Sequence, residues 1–142
     1  MEWFLLASII WWIFRKKSNL VNLGEFIPVD QTIYGLTSEG KVNGNCFPAC
    51  IASILGLPIE RVPFFTTNSQ KEQIAEANQW LKQFNLRLIM EPNLGQAPIG
   101  QYYIIRGKSP RFPGYFHMVV GKDGRVIHDP HPDRTGIIGE PV

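Results

Sequence analysis

The chain has 142 residues, 44% hydrophobic and 18% charged, a balance that describes one folded domain and excludes a disordered chain. Its net charge of +2 is spread thinly and leaves no basic stripe to track phosphates, so nucleic acid is not an expected partner. Two cysteines, Cys46 and Cys50, do not make a disulfide framework. Spaced i, i+4 on one helix they are also badly placed to bond to each other, and a reducing compartment is the simpler reading.

The first element is an uncharged run, WFLLASIIWWIF at residues 3 to 14, followed at once by Arg15-Lys16-Lys17. Residues 1–17 read as an apolar helix. Its apolar part would be about 18 Å long against a hydrocarbon core of roughly 30 Å, short for a full span. Trp11 and Trp12 suit a membrane interface and the basic cluster suits a cytoplasmic flank, so one expectation is an anchor or interfacial helix. The other is the same helix buried against the domain. The order of apolar run and basic cluster is the reverse of a cleavable signal peptide. The expected location is therefore the cytoplasm, with membrane attachment resting on residues 3–14.

Residues 18–28 read as a linker, and residues 29–142 as the domain. Val29 to Tyr34 is strand-like, and Gly35, Gly40 and Gly44 break up the stretch after it. A helix then starts with Asn45 as N-cap and Pro48 in its first turn; Ile51, Ile54 and Leu55 recur at helical spacing until Gly56 and Pro58 stop it. Ile59 to Val62 adds a short turn. Ser69 and Glu72 form a capping box for a second helix, with Ile74, Ala77, Leu81 and Phe84 on one face, Trp80 beside them and Asn85 as its C-terminal cap. Strands are expected at Leu86–Glu91, Gln101–Arg106, Tyr115–Val120 and Arg125–Asp129, the last two as a hairpin. Pro/Gly-containing loops at 92–100 and 107–114 separate the earlier strands. Helices first and an antiparallel sheet after give an α+β fold.

Cys46 stands in the first turn of its helix, near orphan N–H groups and the positive end of the dipole, which favours thiolate, the nucleophilic form. Cys50 lies one turn deeper among Ala49, Ile51 and Ile54 and reads as core. A nucleophilic sulfur needs a base and an orienting acid. Three histidines are present: His117 inside a strand, and His128 and His131 flanking Asp129. A three-residue loop Lys122-Asp123-Gly124 would set His117 directly opposite Asp129, about 5 Å apart at Cβ. A two-residue Asp123-Gly124 loop, which the turn sequence also permits, would set Met118 there instead. Chemical sense favours the first register. His128 and His131 are expected to be exposed or to line a rim. His128, Asp129, His131 and Asp133 match no metal-ligand spacing well, and no metal is expected.

Cys at a helix start, then His on a strand, then Asp on the next, in that order, resembles the papain-like cysteine peptidase superfamily. The likeness is nearest its small bacterial and phage branches, such as double-glycine leader peptidases and NlpC-type hydrolases. It is carried by Gly44-Asn45-Cys46-Phe47-Pro48-Ala49-Cys50, by Gly114-Tyr115-Phe116-His117-Met118-Val119-Val120-Gly121 and by His128-Asp129-Pro130-His131-Pro132, and spans roughly residues 29 to 135. The resemblance implies a papain-like fold, with the N-terminal helices packed on a C-terminal antiparallel sheet. It implies Cys46 as nucleophile, His117 as the base that later protonates the leaving group, and Asp129 as the residue that holds the imidazole. It implies no cofactor, and a peptide or protein substrate. In many such enzymes a Gln a few residues before the Cys donates to the oxyanion; here the nearest upstream is Gln31, fifteen positions away. Gln31 is a candidate if the Gly-rich stretch loops out and returns it, and the Asn45 side chain or the Cys46 backbone N–H is the alternative donor. The expected activity is a thiol hydrolase, peptidase or amidase, working through an acyl-enzyme. The competing expectation is a non-catalytic, membrane-tethered binding or interaction module on the same fold.

Overall fold

The computed structural model describes residues 9–15, 25–34, 44–65, 69–91, 96–97 and 99–139. Helix α1 (Cys46–Leu55) ends where Gly56 takes a left-handed φ of 64° and its N–H closes back on Ala52 and Ser53 carbonyls. Nearly every α1 side chain is buried, Ala49, Cys50, Ile51 and Ala52 completely. Helix α2 (Gln70–Leu81) is a surface helix. Ser69 Oγ accepts from the Glu72 N–H at its start, and Ala77 and Leu81 are its buried residues. A short 3-10 turn (Lys82–Phe84) comes next, and left-handed Asn85 sends the chain into a strand.

The strands are β1 (Ile9–Arg15), β2 (Leu86–Glu91), β3 (Tyr102–Lys108), β4 (Phe116–Lys122) and β5 (Arg125–His128). They form one sheet of order β2-β1-β3-β4-β5, antiparallel throughout. Helix and strand are thus mixed in an α+β arrangement. The strand period divides the core. Ile104, Met118 and Val120 pack with Phe47, Ile51, Leu55 and Leu81 from the helices. The alternate residues Tyr103, Ile105 and Val119 form a smaller cluster with Ile137 on the other side. Gly121 fits this second cluster because it lacks a side chain: a Cβ there would lie 2.4 Å from the Tyr103 ring, which covers the glycine from the neighbouring strand.

Three expectations are corrected. The apolar run read as a helix over residues 3–14 is a strand from Ile9 onward, paired with β2 on one side and β3 on the other. A strand inside a sheet carries a continuous apolar run just as a buried helix does, so periodicity cannot separate them. The ladder partners decide, and they lie 71 to 97 residues away in sequence. Among the described residues no helix is long and apolar enough to cross a membrane. The expected helical anchor, and the localisation that rested on it, are therefore withdrawn. Residues 3–8 of the run and residues 18–24 of the expected linker lie outside the described residues. Second, Val29 to Tyr34 joins no ladder; it is an irregular segment held by specific bonds to α1 and to the chain after β5. Third, the hairpin has a different register from the one favoured.

The β4–β5 turn is the two-residue Asp123-Gly124, both with positive φ (52° and 78°), as a type I′ turn requires. Lys122 pairs with Arg125 and Gly121 with Val126, but Val120 then pairs with His128. Ile127 has no partner and is a β-bulge. The bulge changes the parity of every later residue. Counting on without it, Asp129 would fall opposite Met118; with it, the count moves by one and Asp129 shares the side of the strand that carries His117. The favoured juxtaposition is thus reached by an unanticipated route. A deletion inside a strand ordinarily inverts its faces, yet deletion of Ile127 should keep Val120 opposite His128. We expect that variant to fold, with a loss of no more than about 2 kcal/mol by thermal denaturation, and to keep Asp129 on His117. A chain that no longer folds would show that the bulge's twist, not its parity, is what the hairpin requires.

Candidate active site

Cys46 is the first residue of α1, so its N–H has no acceptor within the helix. It is partly exposed, whereas Cys50 is fully buried. Burial pushes the Cys50 thiol well above its ordinary range, which leaves it a core residue, as expected. Packing of α1 on β4 carries Cys46 to His117, which is 4% exposed. The His117 Nε2 lies 2.6 Å from Asp129 Oδ1, and the Cys46 thiol lines the same cleft, close enough to the ring to act on its charge. With Nε2 engaged, Nδ1 is the ring nitrogen left for sulfur.

The electrostatics favour a charged imidazole. Burial alone would lower the His117 pKa, but the bond to Asp129 and the nearby Cys46 sulfur outweigh it and raise the value from 6.5 to about 9. Burial would likewise raise Asp129. It is overcome by His117, by the His131 N–H at 2.9 Å on Oδ1 and by the Gly136 N–H at 2.6 Å on Oδ2, so the carboxyl sits below its usual value. Asp129 is therefore held on both oxygens by the loop after β5 and presented to the imidazole as an anion.

Gln31 returns to the site despite its fifteen-residue separation from Cys46. Val29 is fixed by Ser53 Oγ on α1, at 2.9 Å from its N–H, and by His128, whose Nε2 donates to the Val29 carbonyl at 2.8 Å. The Gln31 N–H donates to the Pro130 carbonyl at 2.9 Å, next to Asp129. The Asp30 carboxylate is gripped by both Nη atoms of Arg134, at 2.6 and 2.9 Å. Gln31 is 4% exposed; its Nε2 donates to the Ile33 carbonyl, and its Oε1 is buried without a partner among the described residues. Gly44 makes the room: a Cβ there would approach Gln31 Nε2 and the Ile33 carbonyl to 3.1 Å.

Asn45 has a different task from either expected one. It makes no side-chain cap bond. Its Oδ1 accepts from the Thr32 and Ile33 N–H groups and its Nδ2 donates to Thr32 Oγ1, all at 2.9 Å. It latches the Gln31 segment to the head of α1 and does not line the cleft. His128, expected at the surface or a rim, is 7% exposed and pins Val29. His131 does line the rim, its ring tilted against Tyr34. Among the described residues no cluster of three or more His, Cys, Asp or Glu could hold a metal ion.

Cys46, His117 and Gln31 open into one cleft of about 290 Å³. Aromatic side chains, among them Phe64, Phe112 and Tyr115, form much of its wall, with Gln70 and Gln73 from α2. Sequence reasoning named Gly44 only as a chain break and as part of the cysteine motif, and it did not single out Asp30 or Arg134. A glycine two positions before the cysteine was a visible signal for the first; Asp30 and Arg134 are 104 residues apart and carried none. Comparison with known proteins finds no matching family model, no matching curated protein and no matching solved structure.

Proposed function

We propose that the chain is a cysteine-dependent hydrolase, a peptidase or amidase, that uses Cys46, His117 and Asp129 on a papain-like arrangement of helix and sheet. One observation carries this reading: a buried imidazole bonded to a carboxylate, with a partly exposed thiol beside the ring, in one cleft. A structural ion pair would have no use for the thiol or for the opening.

The chemistry is that of an activated thiol. The imidazolium stabilises a thiolate, which attacks an amide or ester carbonyl. The negative charge that develops on the carbonyl oxygen meets the Cys46 backbone N–H and the remaining N–H of Gln31. His117 then gives its proton to the leaving group, and the neutral ring activates water to release the acyl group from sulfur. Asp129 keeps the ring oriented through both changes of charge. The substrate would be a peptide or protein, and no step calls for a cofactor. The second reading, a non-catalytic binding module, drew its support from the sequence distance between Gln31 and Cys46. With both residues lining one cleft that support lapses.

Two measurements test the proposal together. Iodoacetamide should label Cys46 rapidly near neutral pH and leave Cys50 untouched in the folded protein. Against a panel of peptide and amino-acid esters, Gln31→Ala should lower turnover by about 10²- to 10³-fold, the usual loss of one oxyanion donor, while Cys46 alkylation, which forms no oxyanion, stays close to wild type. Equal slow labelling of both cysteines would end the hydrolase reading.

A further inference from the structure

The cleft holds a cation that the hydrolytic machinery does not use. Two arginines line it, Arg106 and Arg111, and no carboxylate is among its described lining residues. Arg111 is committed: its Nη1 meets both Asp133 oxygens at 2.8 and 3.0 Å and Thr135 Oγ1 at 2.7 Å. Arg106 is not. It is partly buried, and its one partner among the described residues is the Phe116 ring, whose centroid lies 3.5 Å from the guanidinium carbon. Burial lowers its pKa, the mark of a charge held partly out of water without an anion to compensate it.

Its position in the sheet is informative. Arg106 pairs with Met118, and the next residue, Gly107, pairs with His117. Arg106 therefore shares the face of Met118 and Phe116, on the strand next to that of the catalytic histidine, and both side chains line the cleft. Phe116 covers the face of the guanidinium, and among the described residues no acceptor meets its N–H edge. That edge is a planar fork that matches a planar carboxylate with two parallel hydrogen bonds.

Resting on the hydrolase reading above, we propose that Arg106 is a specificity-determining residue that selects substrates carrying a carboxylate close to the scissile carbonyl. The carboxylate could belong to an acidic side chain or to a free chain end, and the two sources demand the same fork. An isostere lacking the charge would leave Arg106 unpaired, so discrimination comes from the cost of the wrong ligand as much as from the gain of the right one.

The test uses Cys46 alkylation by anionic and neutral reagents of matched size. Iodoacetyl-glycine, iodoacetyl-β-alanine and iodoacetyl-4-aminobutyrate carry a terminal carboxylate at increasing reach; their primary amides are the controls. Iodoacetyl-glutamic acid α-amide and its glutamine counterpart present the charge as a side chain instead. For at least one of these pairs the acid should react about tenfold faster than the amide with the wild-type protein, and whether it is a terminal or a side-chain pair identifies the source. The His117 imidazolium also attracts anions, but equally before and after a change at Arg106. Arg106→Gln should abolish the reach-dependent preference, and Arg106→Lys should retain part of it, with thermal melts reporting that both variants fold. If Arg106→Gln does not fold, the wild-type preference and its decline with added salt, compared with Arg106→Lys, carry the test. An acid-to-amide ratio unchanged by substitution at every reach overturns the inference while leaving the hydrolase reading intact. Slow labelling of Cys46 by acids and amides alike overturns both.

Discussion

Replacing His117 with alanine is expected to lower Cys46 alkylation at pH 7 by about 10- to 100-fold, because an isolated thiol is only a few per cent ionised there. Hydrolysis should fall further, by at least about 10³-fold, since the same substitution removes the group that protonates the leaving group and later activates water. The two effects separate in the pH profile. The His117 pKa is raised to about 9 by its bond to Asp129 and by the nearby Cys46 sulfur, against the opposing effect of burial. The wild-type alkylation rate should therefore carry an inflection near that pH, and the variant should lack it. Stopped-flow measurement with iodoacetamide from pH 5 to 10 reads both. A wild-type profile with no inflection, together with an unchanged rate in His117→Ala, would mean that the imidazole does not act on the sulfur.

Asp129 is expected to matter for stability as much as for catalysis. It is 5% exposed and accepts from His117, His131 and Gly136. Asp129→Ala leaves those donors unmatched and the imidazolium without its anion, at a cost on the order of 3–5 kcal/mol. The two pKa shifts set the pH dependence. His117 has a folded pKa above its unfolded value, so its contribution is complete below about 6.5 and is lost as the pH rises through about 9. A rise from 6.5 to about 9 corresponds to roughly 3 kcal/mol. Asp129 has a folded pKa below its ordinary 3.8, so its contribution is complete above that value and is lost as the pH falls through the lowered one. Stability should therefore be greatest between about pH 4 and 6.5 and decline toward alkaline pH. Urea denaturation at pH 5.5, 7.5 and 9.5 measures the decline. In Asp129→Asn, which keeps the shape and removes the charge, most of the alkaline slope should disappear. A slope equal to that of the wild type would show that the pair is not ionised in the folded protein.

What the amino-acid sequence determined by itself is local. The start of α2 at Ser69, the left-handed stops at Gly56 and Asn85, and the strand character of residues 86–91 each depend on neighbours within a few positions, so their physics is present in a short window. The identities of the reactive groups were legible for the same reason: a sulfur at a helix start differs from one a turn inside, and Cys46 and Cys50 separate accordingly. The tertiary structure decided what depends on distant partners. Residues 9–15 are a strand because β2 and β3 flank them, a fact their composition cannot carry. Asp129 meets His117 because one unpaired residue, Ile127, alters the parity of the hairpin, and neither turn nor strand propensity specifies a bulge. Gln31 and Arg106 reach the cleft through bonds and ladders that close over tens of residues. Such contacts cost loop entropy that only the assembled core repays, so no short stretch of sequence records them.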